Sequence, residues 1–162
     1  MNEIDMMLIE RACARLVNHY ANLLDAYDHD AFMELWTDDA VLDMLGRQYR
    51  GRDAIRGWLE AREPDMICRH LVTNNVTDVL SGISARGFCY SIAYRVRGMR
   101  GHAPGLIEPP TFLVEYRNEF RLHPERGWVF SRRDVEAVMV GPEQMQALKG
   151  AGLVEAARAK AG

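Results

Sequence analysis

Cysteine is scarce in this chain: its 162 residues hold three, Cys13, Cys68 and Cys89. An odd number without CxxC or Cys/His ligand spacing argues against a disulfide framework and against a zinc site, leaving small reduced core residues. A basic surplus is also missing. Twenty Lys and Arg stand against 23 Asp and Glu, a net charge of −3, so neither nucleic acid nor an acidic membrane surface is an expected partner. No apolar run approaches the length of a membrane span. The opening MNEIDMML carries acids where a secretory signal would carry bases, and a cytoplasmic protein is expected. No phosphate-binding GxGxxG, P-loop or His/carboxylate cluster is present, so the sequence calls for no cofactor and no metal. Repeats and low-complexity stretches are absent as well.

What is present is ordinary for a globular domain: 48% apolar and 27% charged residues, enough to bury one core. We place the domain at 1–141 and a helical tail at 142–162. From Asp5 to about Ala26, Met6, Ile9, Cys13, Leu16, Val17, Tyr20, Leu23 and Leu24 recur at helical spacing. A turn at Asp28 and Asp30, either of them a candidate N-cap, leads into a short helix at AFMELW. AVLDMLG reads as a first strand and GRDAIRGWLEAR as a third helix that groups Ile55, Trp58 and Leu59. The period then changes. ICRHLVTNNVTDVL, SARGFCYSIAYRVRG, TFLVEYRNEFRL and GWVFSRRDVEAVMV read as four long strands, with a Gly/Pro-rich segment over 98–110 whose length suggests a lid carrying Met99 and His102. Helices first and a strand meander afterwards predict an α+β fold, the N-terminal helices packed on the concave face of a curved mixed or antiparallel sheet around an apolar pocket.

Polar residues on apolar strand faces point to the pocket's chemistry, because each needs a partner or a ligand to offset its desolvation. His70 shares a face with Val72, Asn74 and Val76, and by itself also reads as a core histidine bonded to a backbone carbonyl. Asp25 closes the first helix, where the macrodipole disfavours an anion. A carboxylate there, facing an imidazole on the sheet, would orient the ring as a general base. Tyr20 lies five residues earlier, about 140° round an ideal helix, so Asp25 must reach the pocket from the helix end. Asn118 sits among Phe112, Val114, Tyr116 and Phe120. Asn74, Tyr94, Tyr116 and Asn118 are candidate substrate contacts, the two tyrosines reading equally as packing aromatics. Arg133 is either a pocket cation or the partner of a surface acid such as Glu119 or Glu136.

The stretches YANLLDAYDHDAFMELWTDDAVLDM, YRGRDAIRGWL, RHLVTN and GWVFSRR resemble the SnoaL-like branch of the nuclear transport factor two-like superfamily over roughly Ile9 to Val138. Within it the chain is most similar to small cofactor-free lyases: scytalone dehydratase, hexachlorocyclohexane dehydrochlorinase and bile acid 7α-dehydratase. The resemblance implies a cone-shaped fold with a deep apolar pocket, a helix-end acid at Asp25 pairing with a strand base at His70, and a catalytic Arg133. The dehydrochlorinase carries Lys where this chain has Tyr20, whereas the bile acid enzyme carries Tyr. That favours a hydroxyl or carbonyl substrate, with Tyr20 as proton or hydrogen-bond donor. The expected function is a cofactor-independent dehydratase-type lyase acting on a hydrophobic cyclic or polycyclic hydroxy or keto compound. Alternatives are an isomerase or cyclase with the same dyad, the non-catalytic small subunit of an aromatic-ring dioxygenase, or a carrier of apolar ligands. A homodimer or homotrimer is implied.

Overall fold

The computed structural model describes residues 1–98, 100–101, 104 and 109–150. The lid expectation, with Met99 and His102, falls largely outside these residues, as does the tail beyond 150. Helix α1 spans Glu3–Ala26 and opens on a reciprocal cap: the Asp5 backbone N–H donates to Asn2 Oδ1 at 2.8 Å while the Asn2 N–H donates to Asp5 Oδ2 at 3.1 Å. Ile9, Cys13, Leu16, Val17, Tyr20 and Leu24 form its buried stripe. Helix α2, His29–Met33, is capped by Asp28, which accepts from the Ala31 N–H. Among the described residues no helix is long and apolar enough to cross a membrane.

Strand β1 is Trp36–Met44 and β2 is Arg47–Arg50, followed by helix α3 at Arg52–Glu60. The chain therefore leaves the helical hairpin earlier than AFMELW suggests: Trp36 is already paired with Phe130 across the sheet, and burial of its ring outweighs local helical spacing. RQYR, given no element from sequence, is the second arm of a hairpin with β1. Strands β3 (Met66–Ser81), β4 (Ser84–Arg97), β5 (Phe112–His123) and β6 (Gly127–Val140) follow as the sequence predicts, and a last helix, α4, covers Pro142–Gly150.

The six strands form one mixed sheet in the order β2-β1-β6-β5-β4-β3, antiparallel throughout except for the parallel pair β1–β6. The sheet is curved and unclosed, and α1 packs along its concave face, chiefly on β3. Close packing is needed at Gly87, where an added Cβ would come within 2.7 Å of the Phe120 ring. The aromatic centre of the core joins Tyr20, Phe32, Trp36, Phe120 and Phe130, all of them buried.

Candidate active site

A cavity of about 700 Å³ opens between the concave face, α1, α3 and α4, lined among others by Tyr20, Leu24, Trp58, His70, Val114, Tyr116 and Val135. This is within the ordinary range for small-molecule sites. On β3, Met66, Cys68 and His70 alternate inward, which brings His70 under the last turn of α1. There Asp25 makes two contacts with one residue: its Oδ1 lies 2.6 Å from His70 Nδ1, and its Oδ2 accepts the His70 backbone N–H at 2.8 Å. The carboxylate accepts, so Nδ1 carries the proton and Nε2 is the nitrogen left to act as a base. Both side chains are nearly buried, 10% exposed for Asp25 and 5% for His70. Burial alone would lower the His70 pKa, but the hydrogen bond to Asp25, aided by Cys68 and by the aspartate charge, leaves it above the ordinary histidine value.

Asp25 owes its position to an unusual helix end. Tyr27 closes α1 in the left-handed conformation at φ 60°, a place more often held by glycine. Its ring lies beneath two guanidiniums, Arg62 at 4.7 Å and Arg100 at 3.9 Å, and its hydroxyl donates to the Glu63 carbonyl at 2.7 Å. Arg62 also donates to the Leu24 carbonyl at 2.7 Å, the cation that the C-terminal dipole favours. The helix end is thus fixed by tertiary contacts, and Asp25 can face the sheet although Tyr20 occupies a different line of the same helix.

A second polar group packs against the cavity-lining Tyr20 and Tyr116. Arg133 is fully buried, with Nε donating to Asn118 Oδ1 at 2.7 Å and no ion pair to an acid among the described residues. Its guanidinium carbon sits 3.9 Å from the Tyr20 ring centre, 4.2 Å from Phe130 and 4.4 Å from Tyr116. Both terminal nitrogens, and the Tyr20 hydroxyl, have no hydrogen-bond partner among the described residues. Neither Glu119 nor Glu136 reaches Arg133. Burial raises the Tyr20 pKa, only partly offset by Arg133, so Tyr20 stays protonated at neutral pH. Burial raises that of Tyr116 likewise.

Of the expected site residues, Tyr20, His70 and Tyr116 line the cavity, Asp25 stands behind His70, and Arg133, bonded to Asn118, lies behind Tyr20 and Tyr116 rather than on the wall. Two expectations are corrected. Asn74 is exposed and adopts φ 54°, because a bulge between Thr73 and Val76 shifts the face that β3 presents. Tyr94 is displaced by strand parity: Ser91, Ala93 and Arg95 point into the concave side, so Tyr94 points to the other. Sequence reasoning missed Arg95 and Arg62, both on the cavity wall. Arg95 shares the parity of Ala93, which stands opposite His70, and this was the available signal.

Asp25, Cys68 and His70 bring three ligand-type atoms within 4.8 Å of one another. The 2.6 Å between the aspartate and the imidazole is hydrogen-bond length, below the roughly 3.3 Å that separates two donors on a tetrahedral ion. The geometry fits a proton-handling pair better than a metal centre.

Residues 5–134 match the SnoaL-like domain. Among solved structures, a provisionally assigned scytalone dehydratase from Novosphingobium aromaticivorans is 19% identical, with 86% of this chain and 91% of that one covered at a TM-score of 0.74. A nuclear transport factor two-like protein with a cystatin-like fold from the same organism is 25% identical, covering 85% and 88% at a TM-score of 0.68. A provisionally assigned aromatic ring hydroxylase, also from Novosphingobium aromaticivorans, is 26% identical, covering 80% and 89% at a TM-score of 0.65. No curated protein matches the chain.

Proposed function

This chain belongs to the SnoaL-like domain family, and from that premise we propose that it is a cofactor-independent lyase of the dehydratase type, acting on a hydrophobic cyclic or polycyclic hydroxy or keto compound. The observation that carries the reading is the 2.6 Å contact between Asp25 and His70 on the wall of the cavity. In the proposed reaction, Nε2 of His70 takes a proton from carbon next to a carbonyl, and Asp25 steadies the imidazolium that results. Negative charge developing on the substrate oxygen is met by the free N–H groups of Arg133 and by the Tyr20 hydroxyl. Loss of the β-hydroxyl as water, protonated by the imidazolium or by Tyr20, completes the elimination. Isomerisation or ring closure would use the same groups, and product mass separates the outcomes: only dehydration removes 18 mass units, by general chemistry on the order of one water per turnover.

The experiment is turnover of a panel of β-hydroxy ketones on fused-ring skeletons by wild type, His70→Ala and Asp25→Asn. Dehydration that falls by about 10²–10⁴-fold in both variants is expected. Equal turnover in all three proteins would remove the dyad from the mechanism. The aromatic ring hydroxylase likeness favours one second reading, a non-catalytic subunit of a larger oxygenase. In that case His70→Ala would leave the activity of the assembly intact. We further propose that copies of the chain associate through the outer sheet face, where Leu71, Val76 and Leu80 are exposed, and sedimentation velocity checks this.

A further inference from the structure

The cavity wall holds more positive charge than a proton-transfer site on a neutral compound requires. Arg95 stands opposite Cys68 in the β3–β4 pair, while His70 stands opposite Ala93. Arg95 therefore lies two residues beyond the dyad, about 6.6 Å along the strand, on the side away from Arg133. Its guanidinium carbon stacks 4.8 Å from the Phe112 ring centre. Its Nε is buried without a partner, and none of its nitrogens bonds to a described residue. Arg62, on the same wall, uses one nitrogen to hold the end of α1 and leaves the other, Nη2, buried and unpartnered. Two residues further along β4, Arg97 is answered by Glu63 at 3.0 Å, and so contributes no free charge. Glu143 of α4 also lines the cavity, but among the described residues the contacts of Arg62 and Arg95 are to Leu24, Tyr27 and Phe112 and not to it. Asp25 is committed to His70.

Two half-buried guanidiniums without acids are costly unless something anionic completes them. Arginine's planar fork meets a carboxylate through two parallel N–H···O bonds, a group compact enough to ride on an apolar skeleton, and a flat aromatic such as Phe112 beneath Arg95 holds the fork in place. We propose that the substrate carries a carboxylate on its apolar skeleton, and that Arg95, supported by Arg62, binds that group while the reacting carbon lies at His70. The inference rests on the lyase reading for the position of the reacting carbon, but the anion site stands on its own residues. Arg133 is reserved for the oxygen on which charge develops, and Arg95 for charge already present. The substrate is thereby gripped at one end and activated at the other. In this assignment Arg95 is a specificity-determining residue with no part in proton transfer.

The test uses a matched pair of probes, 1-naphthoate and 1-naphthamide, which differ in charge but scarcely in shape. Calorimetric titration at pH 9, where His70 carries less charge, should show naphthoate binding at least 10-fold tighter than naphthamide to the wild-type protein. Arg95→Gln should abolish that preference, and His70→Ala should keep it. Arg95→Lys, which retains charge without the fork, should keep a reduced preference; it carries the test if the melting curve shows Arg95→Gln to be unfolded. Equal affinities, no binding of either probe, or a preference that survives in Arg95→Gln would overturn the proposal. A carboxylate-bearing compound dehydrated equally well by wild type and Arg95→Gln would overturn it too while leaving the lyase reading standing. A confirmed naphthoate preference in a protein whose His70→Ala variant turns over substrate normally would instead sink the lyase reading and spare the anion site.

Discussion

His70 on the cavity wall and Arg133 packed behind the cavity-lining Tyr20 and Tyr116 are held in opposite ways. The imidazole is tied through its ring and the His70 backbone to one carboxylate, whereas the guanidinium has, among the described residues, one neutral hydrogen-bond partner and three aromatic faces. The donors of one group are answered by the protein; the other keeps two terminal nitrogens with no partner among the described residues. Preorganisation of this kind suits a base that must keep its tautomer, and an unsatisfied cation suits a site where charge appears only during reaction. The two residues should accordingly respond to substitution in opposite senses of stability.

The largest effect is expected at the base. His70→Ala should reduce kcat by about 10³-fold on any substrate the protein turns over, measured under saturating conditions. Arg133→Met should cost about 10²-fold in kcat/KM, yet raise the melting temperature, because it replaces a buried, incompletely bonded cation with an apolar side chain of similar length. A large fall in melting temperature instead would make Arg133 a structural strut and erase the contrast. Asp25→Ala should act the other way and destabilise by about 2–3 kcal/mol in urea unfolding, since it strands the buried His70 N–H groups.

The pH profile sharpens the comparison. His70 acts as a base only when neutral, and its pKa is raised in the folded protein, so kcat/KM should climb with pH through a midpoint above 6.5. Asp25→Asn removes the main cause of the rise and leaves the desolvation, so that midpoint should move down. Stability has the opposite sign. A raised folded-state pKa contributes stability that is fully present below the unfolded value near 6.5 and is lost as pH rises through the folded value. The stability advantage of wild type over Asp25→Asn should therefore shrink between pH 6 and pH 9. The smallest effect is structural: Gly87→Ala should cost about 1–3 kcal/mol by pushing a methyl into the Phe120 ring, with no change in pH dependence.

Helix α1 and the four long strands were legible in spacing, and Asp25 stood out as a charge set against the helix dipole, while its pairing with His70 was legible through the family resemblance. What was not legible depends on parity between strands. The Asn74 bulge shifts the inward face within β3, and no residue before or after it announces the shift. In FCYSIAYRV both faces of β4 carry apolar side chains, so alternation cannot tell which way Tyr94 or Arg95 points; only the pairing of Ala93 with His70 does. Arg133 could be assigned to the interior only once its neighbours Arg132 and Asp134 were seen bonded to each other at 2.9 Å on the opposite face.

The left-handed Tyr27 carries one more consequence, and it concerns time. Asp25 meets His70 across 45 positions of chain, and the turn that aims it is clamped by Glu63 and Arg100, 36 and 73 positions from Tyr27. The first helix can wind early on local signals alone, but its acid has no fixed address until the third strand and the chain leaving the fourth have arrived. During refolding, helical signal should precede the appearance of a proton-abstracting centre, which makes competence for chemistry one of the last properties this polypeptide acquires.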